Sequence, residues 1–132
     1  MIISLIGQPN CGKSTIFNYF SGYKAAVSNF PGTTVKYTVS QVVFEDEELT
    51  CVDLPGVYSL TSIDPAERES RNYLLAGKSD VIINVMDASL LSRSLELTLE
   101  LMSLERPLVV ALNMMDEATR KLVDELRCSR GR

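Results

Sequence analysis

The chain has no run of apolar residues approaching the ~20 that a membrane-crossing helix needs, and because it opens on a strand-like segment no signal peptide is expected. By itself it is expected to be soluble. There is no cluster of Lys and Arg either: 13 basic residues stand against 17 acidic ones, for a net charge of −4. Binding to a phosphate backbone needs a concentrated basic patch, so nucleic acid is not an expected partner. Cysteine is scarce. Cys11, Cys51 and Cys128 are too few and too scattered for a disulfide framework or a zinc site, which fits a reducing cytoplasm. Internal repeats and low-complexity segments are absent as well. What is present is 132 residues with 45% apolar content, enough for one core and too short for two ordinary domains. One domain over residues 1–132 is expected.

The chain is organised around Gly7-Gln8-Pro9-Asn10-Cys11-Gly12-Lys13-Ser14, which fits the pattern G-x-x-x-x-G-K-[ST]. An apolar run, Met1-Ile2-Ile3-Ser4-Leu5-Ile6, leads in, and a helix-compatible run from Ser14 and Thr15 to Phe20 leads out. Strand, loop and helix in that order make a concave nest of backbone N–H groups for phosphate oxygens, reinforced by the positive end of the helix. Lys13 can reach the β- and γ-phosphates as a point charge, and the Ser14 hydroxyl can ligate magnesium between them. Cys11 lies at a helix N-terminus, where a thiol pKa can fall. A small side chain at a tolerant loop position is the simpler reading.

The first helix should stop near Ser21-Gly22, and the polar stretch over residues 23–34 reads as a long functional or mobile loop. Residues 35–44 and 49–53 read as two strands of a hairpin whose acidic tip, Glu45-Asp46-Glu47-Glu48, is plain solvated charge. Asp64-Pro65-Ala66-Glu67 gives a cap, a first-turn proline and an acidic first turn for a helix to about Ala76. Two nearly continuous apolar runs, residues 81–86 and 107–112, read as strands buried on both faces. Between them Leu91, Leu95, Leu99 and Met102, with Leu97, Leu101 and Leu104 on a neighbouring stripe, predict a deeply packed helix. Residues 117–127 are a final amphipathic helix. This alternation specifies an open α/β sheet, with ligands expected outside the carboxyl ends of its strands.

Four segments fall at such ends, and each suits part of a guanine nucleotide bound with magnesium. Asp53 can hold a magnesium water, and Gly56 can offer its N–H to a γ-phosphate. In Asn113-Met114-Met115-Asp116 the last carboxylate can accept two hydrogen bonds from the guanine edge, for which adenine has no matching donor pair. Thr34, in the loop, is placed to ligate magnesium only when the γ-phosphate is present, as switching loops do. D-x-x-G or N-x-x-D alone is weak. In this order after a phosphate loop they are strong.

Together these residues resemble the translation-factor-like GTPases, and within them the amino-terminal G domain of the ferrous iron transport protein B family. The likeness is carried by Gly7-Gln8-Pro9-Asn10-Cys11-Gly12-Lys13-Ser14-Thr15, by Asn29-Phe30-Pro31-Gly32-Thr33-Thr34-Val35, and by Asp53-Leu54-Pro55-Gly56-Val57-Tyr58-Ser59-Leu60. It extends through Arg71-Asn72-Tyr73-Leu74-Leu75 to Asn113-Met114-Met115-Asp116-Glu117-Ala118 and covers almost the whole chain. The resemblance implies a Ras-like P-loop NTPase with a mostly parallel sheet and helices on both faces. It implies slow GTP hydrolysis in the cytoplasmic part of a bacterial ferrous iron importer, whose membrane-embedded iron-transport part would follow. GTP or GDP and magnesium would be held by residues of the quoted segments, from Gly7 to Thr15, Gly32, Thr33, Thr34, Asp53 to Gly56 with Leu54 and Pro55, and Asn113, Met114, Met115 and Asp116. Lys13, Asn10, Thr34 and Gly56 would act in catalysis, and Asn10 would ligate a potassium ion as in related potassium-activated GTPases.

Two departures qualify the likeness. Val57 stands where the commonest small GTPases carry a water-orienting glutamine, and it cannot polarise water. After Asp116 the family pattern continues through another strand, a guanine-closing loop and a helix, whereas this chain supplies one helix; the strand at residues 108–112 is therefore expected at a sheet edge. Ser129-Arg130-Gly131 resembles the closing loop only superficially. Two other readings stay open: a nucleotide-binding fragment without turnover, and a soluble ribosome- or RNA-associated GTPase, which would normally bring a basic appendage.

Overall fold

Consecutive residues of a strand point to opposite faces, and in the first strand both directions are apolar. Leu5 packs with Phe17 and Cys51 on one side, while Ile6 packs with Val52, Leu54, Ile82, Leu97 and Leu101 on the other. A strand buried in this way must lie at the centre of a sheet covered on both faces. The computed structural model, which describes residues 1–22, 25–61 and 63–130, has that arrangement. Its elements are β1 (Ile2–Gly7), α1 (Lys13–Ser21), β2 (Ala26–Asn29), β3 (Lys36–Phe44), β4 (Glu47–Asp53), α2 (Pro65–Leu75), β5 (Val81–Asp87), α3 (Leu91–Met102), β6 (Leu108–Asn113) and α4 (Met115–Arg130), with a 3-10 turn at Ala88–Leu90.

The sheet order is β2-β3-β4-β1-β5-β6. β1 pairs in parallel with β4 and with β5, and β5 in parallel with β6. The other two pairings, β2 with β3 and β3 with β4, are antiparallel. Four adjacent strands therefore end on the same edge, and Gly7, Asp53, Asp87 and Asn113 are their last residues. The fold is the expected Ras-like open α/β sheet, with α1 on one face and α2 and α3 on the other. Among the described residues no helix is long and apolar enough to cross a membrane.

Local chemistry accounts for the element ends. Asp64 caps α2 by accepting hydrogen bonds from the N–H groups of Ala66 and Glu67, and Pro65 opens the helix without a donor to waste. The β3–β4 hairpin turns on Glu45 and Asp46, both with positive φ, so the acidic tip is a tight two-residue connection, and Glu47 and Glu48 already belong to β4.

Four features differ from the sequence reading. The segment expected as a loop over residues 23–34 contains β2, a four-residue edge strand paired with β3 from Ala26↔Val39 to Asn29↔Lys36. It is too short and too exposed for alternation to reveal it; Tyr23 and Lys24 lie outside the described residues. Helix α3 is not packed all round: Leu97 and Leu101 are fully buried, whereas Leu91, Leu95, Leu99 and Met102 are exposed. One helix touching one sheet can bury one stripe only. β6 is the sheet edge expected from the missing further strand, so its apolar run is not buried on both faces as the run alone suggests, and Val109, Val110 and Leu112 are about half exposed. The last helix begins at Met115 and runs through Ser129, so that residue is helical and not part of a loop, while Gly131 and Arg132 lie outside the described residues.

The two leucine stripes of α3 make opposite predictions. Leu97→Ala or Leu101→Ala should destabilise the protein by about 2–5 kcal/mol, as cavities in a packed core do. Leu95→Ala or Leu99→Ala should stay within about 0.5 kcal/mol, as surface substitutions do. Urea denaturation followed by circular dichroism distinguishes them.

Candidate functional site

The loop after β1 wraps a cleft of about 350 Å³ lined by Gln8, Pro9, Asn10, Gly12, Lys13, Ser14, Thr15 and Gly56. That volume is in the range of small-molecule sites. Two residues of the loop take left-handed backbone conformations, Asn10 at φ 64° and Gly12 at φ 84°. Gly12 has a second constraint: a Cβ there would sit 2.1 Å from the Asn113 Nδ2 atom. It stands at the N-cap of α1 and has no side chain to satisfy the first helical N–H groups, which leaves them directed at the cleft. An anion is the natural partner for such a terminus.

Lys13 is 9% exposed, and its ammonium donates to the Asp53 carboxylate at the end of β4. Beyond Asp53, Leu54 is fully buried, Pro55 accepts from the Ser70 hydroxyl at 3.3 Å, and Gly56 approaches Pro9 so closely that a Cβ would lie 3.1 Å from its Cα. Val57 is fully buried, and its N–H donates to the Gly7 carbonyl at 3.0 Å. From the end of β6, the Asn113 amide donates to the Cys11 carbonyl at 3.0 Å, and Met114, at φ 58°, brings its methyl group near Gly12. Phosphate loop, D-x-x-G segment and N-x-x-D segment are thus tied together.

The expected residues do not all converge. Gln8 lines the cleft, but its amide donates to the Arg93 carbonyl at the start of α3, so its side chain is a brace. Gly32, Thr33 and Thr34 belong to the turn between β2 and β3, closed on itself by Phe30 N–H to Val35 O at 2.9 Å and Val35 N–H to Thr33 Oγ1 at 3.0 Å. Thr34 is exposed there and does not line the phosphate cleft. Met115 and Asp116 form the first turn of α4, and Asp116 is exposed there and does not line the phosphate cleft. Two residues escaped the sequence reading: Glu67, buried, accepts from the Tyr58 N–H at 2.8 Å, and Glu100 accepts from Ser59 and Leu60. Glu67 was visible only as a first-turn acid, and nothing in the sequence around Glu100 sets it apart from a surface glutamate.

Hard-cation donors are present at the rim, in the Ser14 hydroxyl, the Asp53 carboxylate and the exposed Asn10 amide. Among the described residues no three His, Cys, Asp or Glu side chains gather to hold a metal unaided. That donor set suits magnesium, which commonly completes its shell with substrate phosphates and water. Cys11 follows the simpler of its two readings, a small side chain that is not activated. Its thiol is 2% exposed against Gly7, and burial pushes its pKa up, outweighing the Lys13 amine and backbone donors that pull it down. Helix position alone does not activate a buried thiol.

A glycine-cornered phosphate loop at the end of a central parallel strand, flanked by the D-x-x-G and N-x-x-D segments, defines a Ras-like P-loop protein. The chain belongs to the ferrous iron transport protein B family, whose sequence profile matches residues 1–125. It is 46% identical over 127 residues to the Fe(2+) transporter FeoB of Salmonella typhimurium, an alignment covering 93% of this chain and 16% of that protein. Against the Escherichia coli K12 protein of the same name the identity is 46% over 125 residues, covering 92% and 16%. The G domain of the T. maritima FeoB iron transporter superposes with a TM-score of 0.87 at 36% identity, over 91% of this chain and 76% of that one. An S. thermophilus NFeoB mutant bound to GDP gives 0.85 at 40% identity, over 92% and 47%.

The cysteines provide a direct test of the site's packing. Cys128 is exposed, so a thiol reagent should label it rapidly in the native protein, with Cys11 and Cys51 reacting only on unfolding. Burial raises both internal thiols above their ordinary 9.0. The stability they lend in neutral form is therefore fully present below that pH and is lost as pH rises through the raised values. Denaturation midpoints measured from pH 8 upward should fall, and the fall should be shallower in a Cys51→Ala variant, which lacks one of the two titrating thiols.

Proposed function

We propose that the chain, over residues 1–132, is a GTP-binding domain that hydrolyses GTP slowly and serves a ferrous iron transporter. The observation that carries this reading is the Lys13–Asp53 ion pair at the mouth of the phosphate loop, with Gly56 on the same cleft. A nearly buried ammonium and carboxylate there are positioned to separate when a nucleotide enters, Lys13 moving to the β- and γ-phosphates and Asp53 to a magnesium-bound water. Ser14 would ligate magnesium directly. Asn10, on the rim, would hold potassium. These cations would supply positive charge to the transferring phosphoryl group. Gly56 would donate its N–H to the γ-phosphate, and Asp116 would read the guanine edge from the first turn of α4. Thr34 would have to leave its exposed place in the β2–β3 turn to join the metal. Val57 is buried in the core and has no proton to move, so water must be positioned by other means.

An S. thermophilus relative binds GDP, and the relatives of which this chain spans 16% are Fe(2+) transporters. By that likeness the domain would work at the cytoplasmic face of a bacterial cell membrane, with the membrane-embedded iron-transport region as its partner.

Fluorescent GTP and ATP analogues test the base assignment. GTP should bind far better than ATP, and Asp116→Asn should erode the preference by about 1–3 kcal/mol, the cost of leaving a guanine donor unpaired. Equal affinities in the unmutated protein would remove Asp116 from the site. Hydrolysis should also run faster in potassium than in sodium at equal ionic strength, and Asn10→Ala should abolish that difference. A potassium-indifferent rate in protein that binds GTP would end the cation assignment.

A further inference from the structure

The segment that follows Gly56 is held from three directions. The Val57 N–H donates to the end of β1, at the Gly7 carbonyl, and the Val57 side chain is fully buried. The Tyr58 N–H donates to Glu67 on α2. From α3, Glu100 uses both carboxylate oxygens on the same segment: Oε1 accepts from the Ser59 hydroxyl at 2.7 Å and Oε2 from the Leu60 N–H at 2.5 Å. The Leu60 side chain is 6% exposed within the main core, and its carbonyl accepts from Arg71 at 3.4 Å. Glu100 itself cannot drift, because Leu97 and Leu101 beside it on α3 are fully buried against the sheet.

This pattern is unlike a segment waiting to be ordered by a ligand. A backbone N–H presented by a pinned segment binds its anion without the ordering cost that a loose one incurs. Glu67 makes one hydrogen bond to this segment, at Tyr58, whereas Glu100 uses both of its carboxylate oxygens on it. Its chemistry fits too, since a charged acceptor bridging a hydroxyl and a backbone N–H makes stronger bonds than a neutral one.

We propose that Glu100 is a positioning residue for triphosphate recognition: by clamping Ser59 and Leu60 it holds Gly56 against Pro9 at the phosphate cleft, ready for a γ-phosphate before any nucleotide arrives. The inference rests on the proposed nucleotide reading and deepens it, because it assigns the discrimination between GTP and GDP to a residue that touches neither. The γ-phosphate is the part of the ligand that Gly56 would meet, so loosening the segment should weaken GTP and spare GDP.

Glu100→Ala and Glu100→Gln variants, compared with the unmutated chain, test this by titration with fluorescent GDP and with a non-hydrolysable GTP analogue in magnesium. Glu100→Ala should weaken the GTP analogue about tenfold, the worth of one or two net hydrogen bonds, and leave GDP within about twofold. Glu100→Gln should recover most of the loss, since its amide oxygen can accept from Leu60 and its amide nitrogen can donate to Ser59. In nucleotide-free protein, amide exchange at Gly56 and Leu60 should quicken in Glu100→Ala and not in Glu100→Gln. Equal weakening of both nucleotides would make Glu100 a merely structural residue and overturn the proposal, as would no weakening of either. An unmutated chain that binds neither nucleotide would instead overturn the nucleotide reading on which the inference stands.

Discussion

The structure depends on the parallel pairing of β1 with β4 on one side and β5 on the other. In that register Leu5 lies opposite Asp53 and Gly7 opposite Val85. Parallel strands end together, so each connecting loop leaves from the same edge of the sheet, and residues far apart in sequence arrive as neighbours. Cys11 and Asn113 are 102 positions apart and share a hydrogen bond. Antiparallel pairing at this place would have sent one of the two loops to the opposite edge. The apolar residues on both faces of β1 are what make central placement the low-energy choice, because an edge position would expose one of them.

On that frame the site's charges are disposed sparingly. A domain of net charge −4 has to bind a polyanion with local geometry, and the local means are one nearly buried lysine, the free N–H groups of a helix start and a glycine corner. Lys13 and Asp53 sit close enough to neutralise each other, which makes burial of both tolerable: an unpaired buried charge of either sign would be strongly destabilising. The pairing also restrains the ammonium near the place where phosphate oxygens would lie.

Much of this was legible in the sequence because strong local patterns agreed with the tertiary result. The phosphate loop, the hairpin, the capped α2 and the two apolar strands each carry a signal that local chemistry enforces. What escaped was what local pattern cannot encode. Periodicity shows that α3 has two apolar stripes, but not that the sheet reaches only the one with Leu97 and Leu101. The apolar run of β6 by itself suggests burial on both faces, and its edge place is expected only from the strand that a whole G domain would add beside it. β2 is stabilised by pairing with β3 and not by any feature of its four residues. Glu67 and Glu100 acquire meaning only when the helices that carry them are packed beside the D-x-x-G segment. In the site, Lys13, Ser14 and Gly56 line one cleft and Asn113 reaches the phosphate loop through the Cys11 carbonyl, whereas Thr34, in the β2–β3 turn, and Asp116, in the first turn of α4, are not among the residues that line it.

The two segments that could sense a γ-phosphate are built differently. The one after Asp53 is covalently continuous with a central strand, and core side chains and two carboxylates hold it. The one carrying Thr34 hangs from β2, an edge strand of four residues whose Val27 is 65% exposed. Its firmest attachment is Phe30, 5% exposed, which meets Tyr37 in a tilted contact and Tyr73 edge-on, at ring-centre distances of 4.6 and 6.0 Å. Local unfolding follows the weakest packing, so the β2–β3 turn should open at a lower free energy than the β4 loop. Of the two, the segment beyond Asp53 is the more firmly built, and the turn between Phe30 and Lys36 is the less firmly held, tied to the core chiefly through the Phe30 ring.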